Sequence, residues 1–204
     1  MPTPTFMNID PVKRERIVEA GTELFAAMDY EQVDVKTVVV KAGLPRGSFY
    51  AYFDDMEDYY RTVMETVQKE RLDAIGNAAS GFFGTVFDFL VRMFAADMRD
   101  GNGSRNALLR QRYFRYIQTQ RAGSLRDTPY HPDQRDNVFR ILVSNGIGFG
   151  TAPLSPEERR SLFELCMIVY LATYNESVRE GLPVADGTRL FERRIRIIER
   201  GVQS

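Results

Sequence analysis

The sequence predicts an all-α protein, and three observations carry that prediction. Apolar residues recur at helical spacing along most of the chain, as at Ile17, Ala20, Gly21, Leu24, Phe25 and Met28. Helix runs open on a capping side chain followed by proline, as in Asp10-Pro11 and Ser155-Pro156. Few segments read as strands. The exception is the stretch where Val33, Val35, Thr37 and Val39 alternate. A hairpin turning at Gly43-Leu44-Pro45 is the alternative there, although a lone hairpin is marginal in water.

The chain has 204 residues, enough for one large domain or two small ones sharing a core. One cysteine, Cys166, excludes an internal disulfide framework. The Met-Pro-Thr-Pro-Thr start does not read as a signal peptide, and no apolar run is long enough to span a membrane. A reducing, cytoplasmic compartment is therefore expected. Net charge is −1 and the pI near 6.0, less basic than a nucleic-acid binder usually is. The charges are unevenly spread, however. Lys13, Arg14 and Arg16 open the first helix, and Lys36, Lys41 and Arg46 flank a turn, while Glu15, Glu19, Glu23, Asp29 and Glu31 can lie mostly on other faces. Contact with DNA would use a small local patch and depend strongly on salt.

Residues 1–9 carry two prolines and no periodicity, so a flexible or extended arm is expected. Asp10-Pro11 starts a helix that Asp29-Tyr30-Glu31 breaks. Residues 33–53, VDVKTVVVKAGLPRGSFYAYF, then read as two short helices and a tight turn. In the first, Val35, Val38, Val39 and Ala42 share a face, Asp34 is placed to cap, and Gly43 ends the helix. Leu44-Pro45 starts the second. There Phe49, Tyr50 and Phe53 are expected to face inward. Gly47, Ser48, Ala51 and Tyr52 would form a small, hydroxylated, acid-free outer face suited to a groove of DNA.

Asp55 caps the next helix, expected from Met56 to Ile75, with Asp58 completing an imperfect capping box. At ~20 residues it would be ~30 Å long. Its start would touch the DNA-reading part and its end the rest of the chain, the geometry of a lever. Gly76–Gly84 (GNAASGFFG) reads as a break. Further helices are expected over Phe82–Met98, Arg105–Arg121 and Asp133–Val143, from Ser155 to about Glu180, and over Asp186–Arg200 with Gly201 closing the last. Between them, Gly146-Ile-Gly148-Phe-Gly150 does not follow a strand and lacks the third glycine of a dinucleotide loop. It reads as a helix stop and flexible connection. Leu162, Leu165, Val169 and Ala172 make one stripe on the penultimate helix, and Leu190, Ile195, Ile197 and Ile198 supply apolar surface on the last. Periodicity does not distinguish a dimer face from a core face.

Taken together, Ile17 to Phe25, Tyr30, Ala42-Gly43, Gly47-Ser48-Phe49-Tyr50-Ala51-Tyr52-Phe53 and Asp55-Met56-Glu57 resemble the DNA-binding domain of the TetR family of bacterial transcriptional regulators, over about residues 10–65. The resemblance implies about nine helices: a helix-turn-helix DNA-binding domain over 10–55, with the motif itself at about 33–53, and a larger helical ligand-binding and dimerisation domain over 56–204. The last two long helices would pair with their copies in a second subunit. It implies a cytoplasmic homodimer on a palindromic operator in double-stranded DNA, most simply a repressor released by a small-molecule effector. Lys36 and Thr37 would approach the DNA backbone or a base edge. Arg46, Ser48, Tyr50 and Tyr52 would take the main contact positions, with Tyr50 on phosphate, and the backbone N–H groups around Arg46 and Gly47 would suit another phosphate. Three positions depart from the family pattern: Asp34 and Pro45 stand where hydroxyl side chains are usual, and Met56 where a lysine is common. Each lowers the phosphate-binding charge or hydroxyl count.

No catalytic constellation is legible. His131 is the only histidine, in a proline-flanked loop, Cys166 reads as a core thiol, and Asp54, Asp55, Glu57 and Asp58 are explained by helix capping. No enzymatic activity, cofactor or metal is expected. Phe83, Phe87, Tyr113, Phe114, Tyr170 and Tyr174 are candidates to enclose an apolar cavity with hydroxyls at its edge, fit for a small apolar or aromatic ligand. The alternative is a filled core. Other functional readings are a ligand-independent regulator or activator of the same fold, and an all-helical enzyme or protein-interaction module.

Overall fold

The computed structural model describes residues 2–101, 105, 108–109, 112, 132–151 and 153–203, leaving aside the side chains of Arg46, 132–135 and Gln203. Among these residues every regular element is helical, and the one β-type pairing is an isolated bridge between Thr85 and Gly148. The helices are α1 (Pro4–Asn8), α2 (Pro11–Ala27), α3 (Val35–Lys41), α4 (Phe49–Tyr52), α5 (Met56–Ala79), α6 (Val86–Gly101), α7 (Pro132–Ser144), α8 (Pro156–Arg179) and α9 (Val184–Gln203). One compact unit comprises 1–71 and 103–129, the other 72–102 and 130–204. α5 supplies Tyr59, Tyr60, Val63, Met64 and Val67 to the first core and Ile75 and Ala79 to the second.

The first unit is built on local signals. Asp10 accepts from the amides of Val12 and Lys13, at 3.0 and 3.2 Å, and Pro11 opens α2. Asp34 caps α3 through the Thr37 amide at 2.7 Å. At the other end Gly43 takes φ +61, Gly43 N–H donates to Val40 O, and Leu44 N–H reaches back to Val39 O at 2.8 Å, which satisfies two open carbonyls. The valine run is thus helical, and the hairpin alternative falls. Asp55 caps α5 through the Asp58 amide at 2.7 Å, while the Asp58 carboxylate turns back to the Asp54 amide. Leu109 is fully buried in this unit's core. Arg105 and Arg112 are also helical. The rest of the expected Arg105–Arg121 helix lies outside the described residues, as does His131.

Residues 2–9 correct an expectation. They form a docked helix rather than a free arm: Thr3 caps α1, Pro4 opens it, and Phe6 is buried with its ring 4.7 Å from that of Phe53. Five residues show no periodicity, and so short a helix depends on what it packs against.

The second unit packs α6, α8 and α9 around Phe87, Leu90, Phe94, Phe163, Met167, Tyr170, Phe191 and Ile195. Two helix boundaries and one connection depart from expectation in an informative way. α5 runs through Gly76 to Ala79, because burial of Ile75 and Ala79 outweighs the ~1 kcal/mol that an interior glycine costs. α6 starts at Val86 rather than Phe82. Thr85 and Asp88 cap it reciprocally, with the Thr85 amide on Asp88 Oδ2 at 3.0 Å and the Asp88 amide on Thr85 Oγ1 at 3.3 Å. The glycine-rich connection is pinned rather than flexible. Gly146 (φ +71) ends α7, Val86 N–H donates to Gly148 O at 2.7 Å, and Ile147 and Phe149 are buried. On α8 Ser155 caps the helix as read, and Glu158 adds the reciprocal bond of a capping box, but the buried stripe is Leu162, Phe163, Cys166, Met167, Tyr170, Thr173 and Ser177. Leu165 of the expected stripe is 55% exposed.

Candidate nucleic-acid interface

α3 and α4 are joined through Gly43–Pro45 and a 3-10 turn, Arg46–Ser48, which has no side-chain cap. The α-helical part of the second element is one turn long, so its orientation rests on anchors. Phe49 and Phe53 are fully buried, their rings 5.7 and 4.9 Å from that of Tyr59. Tyr59 in turn donates its buried hydroxyl to Ile17 O at 2.8 Å, and burial pushes that phenol's pKa up.

The two tyrosines of the motif exchange the faces assigned to them by periodicity. Tyr50, expected inside, is 66% exposed and offers its hydroxyl to solvent, its ring edge-on to Phe49. Tyr52, expected outside, is 6% exposed. Phe6 covers its ring at 6.0 Å, and Lys13 Nζ donates to its hydroxyl at 2.9 Å while lying 5.4 Å from the ring centroid. The reason is tertiary: α1 lies against this side of α4, and α1 is too short to show periodicity. Tyr52 is thereby withdrawn from the outer face.

Of the other expected contact residues, Lys36 and Gly47 are exposed, Thr37 and Ser48 are half-buried, and the Arg46 side chain lies outside the described atoms. The backbone of Gly47 is ordinary, and a Cβ there would meet nothing within 4 Å. Thr37 Oγ1 donates to Asp34 Oδ1 at 2.7 Å, which engages its proton in the cap. The Thr37 hydroxyl and amide, with Lys36 nearby, hold the Asp34 carboxyl below its usual range. The expected basic patch is also partly neutralised. Lys41 pairs with Glu23, whose carboxyl is lowered by that lysine and by Arg105, and Arg14 donates to the carbonyls of Met7 and Ile9. Arg16 and Lys36 remain exposed cations. Neither Lys41 nor Arg14 could be excluded from sequence, because their partners lie on other segments.

A sequence model described as "Bacterial regulatory proteins, tetR family" matches residues 17–61, from the middle of α2 into α5. Over residues 17–61 the chain is similar to TetR-family regulators. The TetR match takes in all of α3, the turn and α4, and agrees with a 30% identity over 81 residues to the uncharacterized HTH-type transcriptional regulator YvdT of Bacillus subtilis (strain 168). That similarity spans 39% of this chain and 42% of YvdT, and a second B. subtilis regulator, YfiR, is 31% identical over 33% of each chain. The chain therefore matches less than half the length of these curated relatives. Solved structures extend the likeness in fold. A TetR-family regulator from Chloroflexus aurantiacus J-10-FL superposes with TM-score 0.53 at 24% identity over 98% of both chains. One from Streptomyces coelicolor gives 0.67 at 12% identity, over 93% of this chain and 81% of that one.

The candidate ligand residues fall into three groups. Phe83 sits in the turn before α6 and is 97% exposed, so it lines no interior. Tyr113 and Phe114 lie outside the described residues. Phe87 and Tyr170 are buried and Tyr174 is partly so. Around the latter two, Phe94 stacks on Phe191 at 4.4 Å and meets Tyr170 edge-on at 5.1 Å and Tyr174 at 6.2 Å. The Tyr170 hydroxyl donates to Asp97 Oδ2 at 2.5 Å, a carboxylate that the sequence reading missed because Asp97 sits in an otherwise apolar run. Cys166 is buried, which pushes its thiol up to about 12 and leaves it unreactive. Among the described residues no group of three metal-ligating side chains converges, and no helix is long and apolar enough to cross a membrane.

Proposed function

We propose that this protein is a sequence-specific, DNA-binding transcriptional regulator of the bacterial cytoplasm, acting as a homodimer. In this reading residues 10–55 read DNA and residues 56–204 hold the effector and the partner subunit. The observation that carries it is the division of the 46–53 segment. Phe49, Tyr52 and Phe53 are anchored inside, while Tyr50, Gly47 and Lys36 are exposed. An exposed phenol, an exposed ammonium and a glycine with open space beyond its Cα are suited to phosphates approaching closely. Arg46, Ser48 and the Arg46–Gly47 amides complete the contact set, with Thr37 beside them. Each subunit would lay this segment in a major groove, on half-sites ~34–36 Å apart on a palindromic operator.

Dimerisation is supported by the outer faces of α8 and α9. Leu165 and Ile168 are each 55% exposed and Ile197 is 59% exposed, on two adjacent long helices. A small apolar or aromatic effector held near Phe87, Tyr170 and Tyr174 would release the repressor from its operator. The interlocked rings around Phe94 favour a second reading, a ligand-independent regulator or activator with a filled core. A thermal-shift screen of small aromatic compounds separates the two: a saturable rise in melting temperature that coincides with DNA release supports the effector.

A gel shift with the DNA upstream of the protein's own gene tests the main reading. Arg46→Ala and Tyr50→Ala are expected to weaken a sequence-specific shift at least tenfold. Equal binding by both variants would overturn it.

A further inference from the structure

We infer that the N-terminal helix is a clamp that sets the position of the DNA-reading segment, with Thr3 and Phe6 as positioning residues. The inference rests on the DNA-binding reading above and adds to it a part of the chain outside the matched family domain.

A helix leaves its last carbonyls without partners, and a helix of a single turn has almost nothing else to hold it. α4 is such a helix. Phe53 N–H closes onto Phe49 O at 3.0 Å. The next two filled carbonyls are taken by the N-terminal segment, 48 residues away in sequence: Thr3 Oγ1 donates to Ala51 O at 2.8 Å, and Thr3 N–H donates to Tyr52 O at 3.0 Å. The same Thr3 Oγ1 accepts from Phe6 N–H and so starts α1. One side chain therefore caps the beginning of α1 and the end of α4 together. Phe6 then closes the contact, buried against the rings of Phe53 and Tyr52. The far end of α1 is also fixed, by Arg14 Nη2 on Met7 O at 2.7 Å and Ile9 O at 3.3 Å. A five-residue helix held at both ends has little freedom, and what it holds is the C-terminal end of the segment carrying Gly47 and Tyr50.

None of these contacts needs to touch DNA for the clamp to matter. Loss of the clamp frees the end of α4, and the reading segment must then be ordered at the moment of binding, which lowers affinity. The experiment uses the full-length chain and Thr3→Val, Thr3→Ser and Phe6→Ala. The DNA probe is the duplex that wild-type protein enriches from a random-sequence library. Thr3→Val and Phe6→Ala are expected to bind that duplex about five- to tenfold more weakly, and Thr3→Ser to restore it. The slope of log affinity against log salt should stay at the wild-type value, since neither variant removes a charge. Hydrogen exchange in the free protein should show faster exchange of the Tyr52 and Phe53 amides in Thr3→Val and Phe6→Ala but not in Thr3→Ser. Unchanged exchange overturns the clamp whether or not DNA is bound. Wild-type affinity in both loss variants overturns its role in reading. If wild-type protein enriches no sequence, the DNA-binding reading fails, and the exchange measurement alone decides the clamp.

Discussion

Gly21 of α2 and Tyr59 of α5 meet so closely that the absent side chain is what allows the two helices to pack. A Cβ on Gly21 would stand 2.6 Å from the Tyr59 hydroxyl oxygen and 2.5 Å from Val63 Cγ2. That phenol also reaches Ile17 O, and its ring backs Phe49 and Phe53, so the contact sets the seat of the reading segment. Gly21→Ala is expected to destabilise by roughly 1–3 kcal/mol despite its better helix propensity. Gly76, inside α5 with nothing within 4 Å of a Cβ, predicts the opposite sign: Gly76→Ala stabilises by roughly 0.5–1 kcal/mol. Urea titrations of both variants check the pair.

The two tyrosines of α4 should separate in experiment. Tyr52→Ala removes a buried ring packed by Phe6 and held by Lys13, and is expected to cost roughly 3–5 kcal/mol of stability. Tyr50→Phe should leave the melting temperature unchanged and reduce DNA affinity several-fold, because its hydroxyl faces solvent. Thermal melts read beside fluorescence anisotropy show whether the two effects divide this way.

Gly47 offers a cleaner test of close approach. Its backbone is one that any residue adopts, so Gly47→Ala should change stability by no more than about 0.5 kcal/mol. A drop in affinity for the selected duplex would then come from the added methyl at the DNA surface. Unaltered affinity would place this glycine away from the phosphates.

Acid should remove the Asp34 cap in a defined direction. Thr37 holds the folded Asp34 carboxyl below its unfolded value, so its contribution is complete above the usual carboxylate pKa of ~3.9 and is lost as pH falls through the lower folded value. The stability difference between wild type and Asp34→Ala is therefore expected to be constant at neutral pH and to shrink only below about pH 4. Chemical denaturation from pH 7 to pH 2.5 measures it.

The apolar faces of α8 and α9 predict an association. Ile168→Glu with Ile197→Glu places charge on two exposed isoleucines that contribute nothing to the core. Sedimentation is expected to show wild type as a dimer and the double variant as a monomer with native circular dichroism. Identical sedimentation of the two would move the interface elsewhere.

The sequence by itself determined the elements whose signals are local. Asp10-Pro11, Asp34, Gly43, Asp55 and Ser155-Pro156 mark helix ends because a cap or a left-handed turn needs its particular residue within three positions. It also determined the TetR-type motif, because that motif is contiguous. Tertiary structure decided what depends on distant partners. Tyr52 is inside and Tyr50 outside because α1 covers one side of α4, and α1 itself holds together through Phe53, Tyr52 and Arg14. Lys41 is spent on Glu23, and Phe83 projects into solvent from the turn before α6 while Phe87, inside that helix, is fully buried. Periodicity reports that a face is apolar or polar. Which neighbour arrives to cover that face is settled only by the packing of segments far apart in the chain.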